Sequence, residues 1–195
     1  MRKIIKIGSI ITYTILASLS IVVTAFLLSP WQYNSRLCTY SIEWSIAIAA
    51  PPNAVFAYLG HSGNEAHWST FVSHITPRNP TQHADGTKES RRRCFQHDDE
   101  SGLTWDEEIL EVQPNLLRTL SIYNLQNALL EAKGLRTQQR YLALQGGHTQ
   151  LSFAVFIQGS FWQPRQLCQL LIAGYKLAPI FEQNLKNIKR ELERV

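Results

Sequence analysis

An uncharged apolar segment near the start of the chain most constrains what the chain can fold into. Residues 7–28 are 22 consecutive residues without a charge, and their few polar members are mostly Ser and Thr. As a helix, this segment would be about 33 Å long, enough to cross a hydrocarbon layer of about 30 Å. Pro30 ends it, and Trp31 and Tyr33 follow where interfacial aromatic residues are expected. The sequence therefore predicts a transmembrane anchor in residues 1–30, a short linker in 31–37 and a separate domain in 38–195.

A cleaved signal peptide is the alternative interpretation of the same segment. Its apolar region would be about 7–15 residues long and would end in a small-residue cleavage site, whereas residues 25–28 read Ala-Phe-Leu-Leu. Three positive charges precede the segment and only Arg36 follows it closely, which predicts a cytoplasmic N-terminus. The domain is then expected outside the cytoplasmic membrane, and in the periplasm if the cell is Gram-negative.

The charge balance argues against nucleic acid as a partner. The net charge is +4, but Arg2, Lys3 and Lys6 precede the apolar segment, and taking these three from 19 basic residues leaves 16 against 15 acidic ones. A nucleic-acid-binding domain normally carries a basic face. Residues 91–93 form a short run of three arginines, for which a solvated strand or hairpin is the preferred interpretation.

The cysteines and histidines do not form a recognisable metal or redox motif. Cys38, Cys94 and Cys168 contain no CxxC pair, and their odd number leaves at least one free thiol. Buried free thiols are the preferred interpretation, and one disulfide stays open. His61, His67 and the four other histidines lack the i, i+3 or i, i+4 spacing of helical metal sites. No nucleotide-binding glycine motif or GxSxG sequence occurs, so we expect neither a metal nor a cofactor.

The remaining pattern predicts an α+β domain. Residues 38–49 alternate between apolar and polar side chains, as in a half-buried strand, and Pro51 and Pro52 end that strand and open a short helix. A second short helix is predicted over 65–71, and a long amphipathic helix over 163–193 carries Pro179 as an expected kink. Between these helices, turn-forming residues separate six further strand-like segments: 72–76, 88–96, 103–112, 116–124, 135–144 and 148–158.

This order, with these residues, resembles the helix-grip superfamily, also called SRPBCC or START-like, which includes polyketide cyclase and dehydrase-like and lipid-transport domains. The likeness covers residues 40–193, and one departure is His61-Ser62-Gly63, which stands where the family usually has an acidic residue. The segments that carry the likeness are residues 45–59 (SIAIAAPPNAVFAYL), 64–68 (NEAHW), 107–115 (EEILEVQPN), 146–151 (GGHTQL) and 185–193 (LKNIKRELE).

The resemblance implies a curved antiparallel sheet of about seven strands, wrapped on a long C-terminal helix, with a cavity between them. It does not specify a function, because one fold hosts many functions. The preferred hypothesis is a membrane-tethered binding or carrier domain for a lipid, a quinone or another small hydrophobic ligand. The alternatives are a protein-interaction module at the membrane surface and, third, an enzyme of the cyclase or dehydratase type.

Aromatic residues are the best candidates for the wall of such a cavity. We predict that Trp68, Trp105, Tyr123 and Tyr141 line it, although core packing explains most aromatic residues of this domain without a ligand.

Charged residues in the predicted strands are weaker candidates. The acidic run at residues 106–108 is expected on the convex surface of the sheet. Alternatively, Glu107 faces inward, where an apolar cavity would raise its pKa and allow acid catalysis. Glu107 and His67 are therefore the catalytic candidates.

Three arginines, Arg93, Arg118 and Arg140, also lie in predicted strands. An arginine that points inward could contact a polar head group through its planar, multiply donating guanidinium. The sequence does not distinguish which of the three has that orientation.

Overall fold

An antiparallel sheet of eight strands forms the centre of the fold. The computed structural model describes residues 2–128, 134–158 and 164–194, with side chains from Ile11 onward except at Phe26 and over 164–171. The strands are β1 (Gln32–Asn34), β2 (Thr39–Ile48), β3 (His74–Pro77), β4 (Arg91–Phe95), β5 (Thr104–Gln113), β6 (Leu117–Gln126), β7 (Leu135–Ala143) and β8 (Thr149–Ile157). Their order across the sheet is β1-β2-β8-β7-β6-β5-β4-β3, with every neighbouring pair antiparallel.

Four α-helices accompany the sheet in the described part of the chain. They are α1 (Arg2–Leu27), α2 (Pro52–Gly60), α3 (Glu65–Trp68) and α4 (Pro164–Glu193), and a 3-10 turn over Ser62–Asn64 joins α2 to α3. Proline begins α2 because its fixed φ suits the first helical turn and its missing N–H has no partner there anyway. Helix α4 continues through Pro179 as one helix, where the sequence predicts a kink or a break.

The predicted α+β class and the order of elements are confirmed, but the predicted number of about seven strands is wrong. The additional strand is β1, which pairs with β2 from Gln32 opposite Ser41 to Asn34 opposite Thr39. It lies in the segment where the sequence predicts a linker. Three residues are too few to show the alternation of apolar and polar side chains that indicates a strand, so this strand was not predicted from the sequence.

One buried cluster joins α4 to the sheet and to α2. Ile48 of β2, Val55 of α2, Leu151 of β8 and the α4 residues Leu185 and Ile188 all belong to it, and each is at most 2% exposed. The spacing of three residues between Leu185 and Ile188 places both side chains on one face of α4. This cluster closes one end of the space between α4 and the sheet.

Helix α1 carries the uncharged segment, and its end contacts the first half of α4. Ile15, Leu19 and nearby apolar side chains of α1 are more than half exposed. The Tyr175 hydroxyl donates to the carbonyl of Ala25 at 3.3 Å. A side chain at Gly174 would collide with Trp31, so only glycine permits this approach.

Within the residues that the structure describes, no helix is long and apolar enough to cross a membrane.

Two of the three cysteines have described side chains. Cys94 is buried in β4, as expected for a free core thiol, whereas Cys38 is exposed and corrects the expectation that the free cysteines are buried. Cys38 precedes β2 in a turn with φ of 51°, which leaves its thiol at the surface. The side chain of Cys168 lies outside the described residues.

We expect the Leu185→Ala substitution to lower the free energy of unfolding by about 2–5 kcal/mol, because it leaves a cavity in the buried cluster. Leu142→Ala is the matched control, since Leu142 is 56% exposed on β7, and it should cost less than about 1 kcal/mol. Urea denaturation followed by circular dichroism measures both. Equal losses would contradict the assigned location of the core.

Candidate functional site

A cavity of about 620 Å³ lies between α4 and the inner face of the sheet. Its wall is contributed by α3, by β4 to β8 and by the middle of α4, residues 172–184. Most of the lining is apolar: Phe71, Val72, Leu103, Leu120, Ile122, Leu125, Leu135, Phe153, Leu177, Ile180 and Phe181, together with the two tryptophans described below. A space of this volume and composition suits an apolar small molecule.

Strand alternation explains how charged residues enter this apolar wall. The arginine run 91–93 in β4 pairs residue by residue with the acidic run 106–108 in β5. Side chains of successive strand residues point to opposite faces, so only the middle pair faces α4. Arg92 and Glu107 accordingly line the cavity.

The outer pairs lie on the opposite face of the sheet. Arg91 lies 3.2 Å from Glu108, and Arg93 donates to Asp106 at 2.7 and 2.8 Å. These contacts place Arg93, one of the predicted head-group contacts, away from the cavity. They also correct the expectation that the whole acidic run is at the surface, because Glu107 is only 6% exposed and faces inward.

Three charged side chains form a buried group in the cavity wall, here called the Glu-Arg-Glu group: Glu65, Arg92 and Glu107. Arg92 donates through Nε to Oε2 of Glu107 at 2.8 Å, and its Nη2 lies 2.7 Å from the same oxygen. The same Nη2 lies 3.1 Å from Oε2 of Glu65. The indole N–H of Trp105 donates to the remaining oxygen of Glu107 at 2.9 Å. Both oxygens of Glu107 are therefore engaged.

The protonation of Glu65 is set by this environment. Burial is the largest influence and raises the pKa of Glu65 to about 7, with Arg92 lowering it and Glu107 and Asp85 raising it. Burial also disfavours the charge of Arg92, but the two carboxylates outweigh that effect and raise the pKa of Arg92. Two carboxylates share one guanidinium in a low-dielectric space, so one proton is expected on the group near neutral pH.

The predicted lining residues divide between the cavity and other places. Trp68 and Trp105 lie in the cavity wall. Tyr123 is 37% exposed and lies opposite Asp106, on the face of the sheet away from α4. Tyr141 is buried in the core, where its ring packs edge-on against Phe56 at 5.2 Å. Neither tyrosine contributes to the described wall.

Arg118 is buried behind the cavity wall and explains the position of Tyr141. Its guanidinium lies 4.3 Å from the ring centre of Phe56 and donates to Gln139 and to the Tyr141 hydroxyl at 3.2 and 3.3 Å. Burial lowers the pKa of Arg118. Gly60 leaves room for this side chain, because a Cβ there would lie 2.8 Å from its Nη2. Among the three predicted arginines, Arg118 is the buried one.

The two remaining candidates lie elsewhere. His67 is exposed on α3, next to Trp68 in sequence but outside the described cavity wall. Arg140 is half-buried in β7, opposite Ser152 and Leu117. The residues that sequence reasoning missed are Glu65 and Arg92. The arginine run 91–93 and the acidic run 106–108 are equally long, and this match could have indicated that Arg92 pairs with Glu107.

Hydrogen bonds with Asn184 and Asn187 hold the segment around α3 against α4. Asn184 accepts from the backbone N–H of Thr70 at 2.8 Å, and Asn187 donates to the carbonyl of Trp68 at 2.9 Å. They hold Trp68 in place above the sheet, where its ring packs edge-on against Phe153 at 6.0 Å.

Within the described residues, no cluster of three or more His, Cys, Asp or Glu side chains is arranged to hold a metal ion. The charges of Glu65, Arg92 and Glu107 are compensated by one another.

Solved structures of low sequence identity share this architecture. A START superfamily protein from Mycobacterium smegmatis matches with a TM-score of 0.55 and 11% identity, over 79% of this chain and 97% of that one. Ara h 8.0201 matches with a TM-score of 0.56 and 12% identity, over 78% and 96%. DynU16, from the dynemicin biosynthetic locus, matches with a TM-score of 0.55 and 15% identity, over 79% and 47%. These likenesses show the fold, which is of the START-like helix-grip type.

Comparison by sequence does not add to the assignment of the fold. No family model matches the chain, and no curated protein matches its sequence. The fold assignment therefore rests on the architecture.

The raised pKa of Glu65 has a consequence for stability. The folded protein holds a proton on Glu65 between about pH 4.5, the ordinary value, and about pH 7, whereas the unfolded chain releases it. The free energy of unfolding therefore falls as the pH rises through this window, by roughly 2–3 kcal/mol from this group. The free energy of unfolding can be measured by urea titration at about pH 5 and pH 8. The difference between the two pH values should be smaller in Glu65→Gln, because the contribution of Glu65 is removed. An equal difference in Glu65→Gln and in the wild type would show that Glu65 is ionised over this whole pH range.

Proposed function

We propose that this protein is a membrane-tethered binding or carrier domain whose cavity holds a small hydrophobic ligand. The observation that carries the proposal is the cavity of about 620 Å³, lined mainly by apolar side chains. Protein interiors are normally packed almost without voids, so a space of this size is a feature of the fold rather than a packing defect. The resemblance to START-like domains supports the same class of ligand.

The cavity weighs against the alternative of a protein-interaction module. Such a module needs a complementary outer surface and is expected to have a filled core. The domain instead keeps its apolar space inside, between Leu120 and Ile122 of the sheet and Phe181 of α4.

Helix α1 supports the tether. Its uncharged apolar residues are exposed on several sides, including Ile11, Leu19, Val22 and Leu27. A helix that is apolar all round is normally buried in a protein core or in a bilayer. An attached domain would meet membrane lipids and membrane-dissolved molecules at high effective concentration. With its basic residues at the start of α1, ahead of the uncharged segment, the N-terminus would lie in the cytoplasm and the domain outside the cytoplasmic membrane, in the periplasm of a Gram-negative cell.

Native mass spectrometry of the full chain, gently purified from membranes, tests the carrier function first. We expect a reproducible added mass that corresponds to an apolar molecule. Persistent absence of any added mass, together with no binding across a panel of lipids and quinones, would contradict the proposal.

Filling the cavity should weaken ligand binding without unfolding the domain. Ala173 of α4 lines the cavity, so Ala173→Trp should weaken the binding of a fluorescent apolar probe by at least about tenfold, because the indole occupies the ligand's space. Ala57→Trp is the matched control, since Ala57 is exposed on α2, and it should bind the probe as the wild type does. Equal binding by both variants would place the ligand elsewhere.

The tether and its orientation have a separate test. The full chain should stay in the membrane fraction after carbonate extraction, and the double substitution Leu19→Lys and Val22→Lys should release it, because lysines are costly in hydrocarbon. A membrane-impermeant maleimide should label Cys38, an exposed thiol in the turn before β2, in spheroplasts. Cys38→Ser is the control, and labelling only after lysis would contradict the orientation.

A further inference from the structure

The Glu-Arg-Glu group presents one free position to the cavity. Oε2 of Glu65 faces Arg92, and both oxygens of Glu107 are engaged by Arg92 and Trp105. Among the described residues, the remaining oxygen of Glu65, Oε1, has no hydrogen-bond partner. Glu65 is only 9% exposed and lines the cavity, so a ligand in the cavity can reach its carboxyl group.

Trp68 provides a second, independent sign of a polar ligand atom. Its side chain lies in the same cavity wall and is 5% exposed, and its indole N–H is buried without a hydrogen-bond partner in the described part of the chain. A buried donor without a partner destabilises the folded protein. Glu65 and Trp68 are three residues apart on α3, so their side chains lie on one side of that helix.

The charges and donors of this corner disfavour two classes of ligand head group at this position. Arg92 already faces two carboxylates, so the group carries a net charge of zero or −1 and offers no free positive charge to an anion. A protonated amine only donates hydrogen bonds, and it would leave the Trp68 N–H unpaired. A neutral oxygen accepts hydrogen bonds from Trp68 and from a protonated carboxyl alike.

We propose that the cavity binds a neutral apolar molecule whose carbonyl or hydroxyl oxygen accepts hydrogen bonds from the protonated carboxyl of Glu65 and from the indole N–H of Trp68. This inference rests on the proposed binding of a small hydrophobic ligand and specifies its polar end. It assigns the contact with the polar end of the ligand to Glu65 and Trp68, whereas the sequence suggested an arginine.

Binding through a protonated carboxyl makes the affinity depend on pH. The groups that face Glu65 are Arg92 and Cys94 on β4, Glu107 on β5 and Asp85 in the loop between β3 and β4. Lys176 of α4 lines the same cavity, but it is exposed. The pKa of Glu65 in the free protein is about 7, so the fraction able to donate, and with it the affinity, should fall about tenfold from about pH 6 to pH 8.

The test compares four probes of one chain length on the full chain in lipid nanodiscs: methyl decyl ketone, dodecanoate, dodecylamine and dodecane. Displacement of a fluorescent apolar dye is measured at about pH 6 and pH 8. We expect the ketone to bind tightest at the lower pH and to lose about tenfold in affinity at the higher pH. The affinity of dodecane should not change with pH.

Three variants identify the groups responsible. Glu65→Gln, whose amide donates at every pH, should keep the ketone affinity of the lower pH and lose the pH dependence. Glu111→Gln, a control on the exposed end of β5, should keep the tenfold fall. Trp68→Phe keeps an aromatic ring but removes the N–H donor, and it should weaken ketone binding severalfold at both pH values while leaving dodecane unchanged.

The outcomes separate this inference from the proposed function. Tightest binding of dodecanoate or dodecylamine, or a ketone affinity equal at both pH values, would overturn the neutral-oxygen ligand while leaving a hydrophobic binding site intact. A pH dependence that persists in Glu65→Gln would overturn the role of Glu65. Failure of every probe, dodecane included, to displace the dye would overturn both proposals.

Discussion

The guanidinium of Arg92 connects two walls of the cavity that are made of different parts of the chain. It lies within 3.1 Å of Glu65 on α3 and within 2.7 Å of Glu107 on β5. An arginine suits this position because its planar fork keeps its charge when buried and offers several donors in fixed directions. Removing Arg92 would leave a buried carboxylate without compensation, which typically costs about 3–5 kcal/mol. The shape of the cavity at this end therefore depends on Arg92.

The rest of the cavity follows from ordinary packing. Apolar residues on the inner faces of the strands and on one side of α4 form most of the wall, and the buried cluster around Leu185 closes one end. The buried charges of the wall are concentrated in one corner, because only the middle pair of the β4–β5 charge ladder faces inward. A ligand would thus meet a mainly apolar cavity with one charged corner, an arrangement that favours one direction of the ligand.

Much of the fold could be predicted from the sequence, because the spacing of apolar residues within a short window indicates each strand and helix. The alternation of β2 and β8 and the apolar stripe of α4 each need only a short window. The site needed long-range information: alternation implies that the arginine run faces both sides of its strand, but only the register with β5 assigns Arg92 to the inside. Tyr141 shows the same limit, because its burial depends on Phe56 and Arg118, which are distant in the chain. Trp68 and Trp105 lie in the wall because large aromatic side chains near a sheet face are mostly turned inward.

The short strands at the two edges of the sheet affect how neighbouring copies of the domain can associate. An open sheet exposes unpaired backbone groups along its outer strands, and these are templates for edge-to-edge growth between molecules. Here the outer strands are β1 and β3, which are only three and four residues long, and β3 ends in Pro77. Proline cannot donate to a further strand, and so short an edge offers few hydrogen bonds to a neighbour. Many copies of this domain can therefore be packed side by side without polymerising through their sheets.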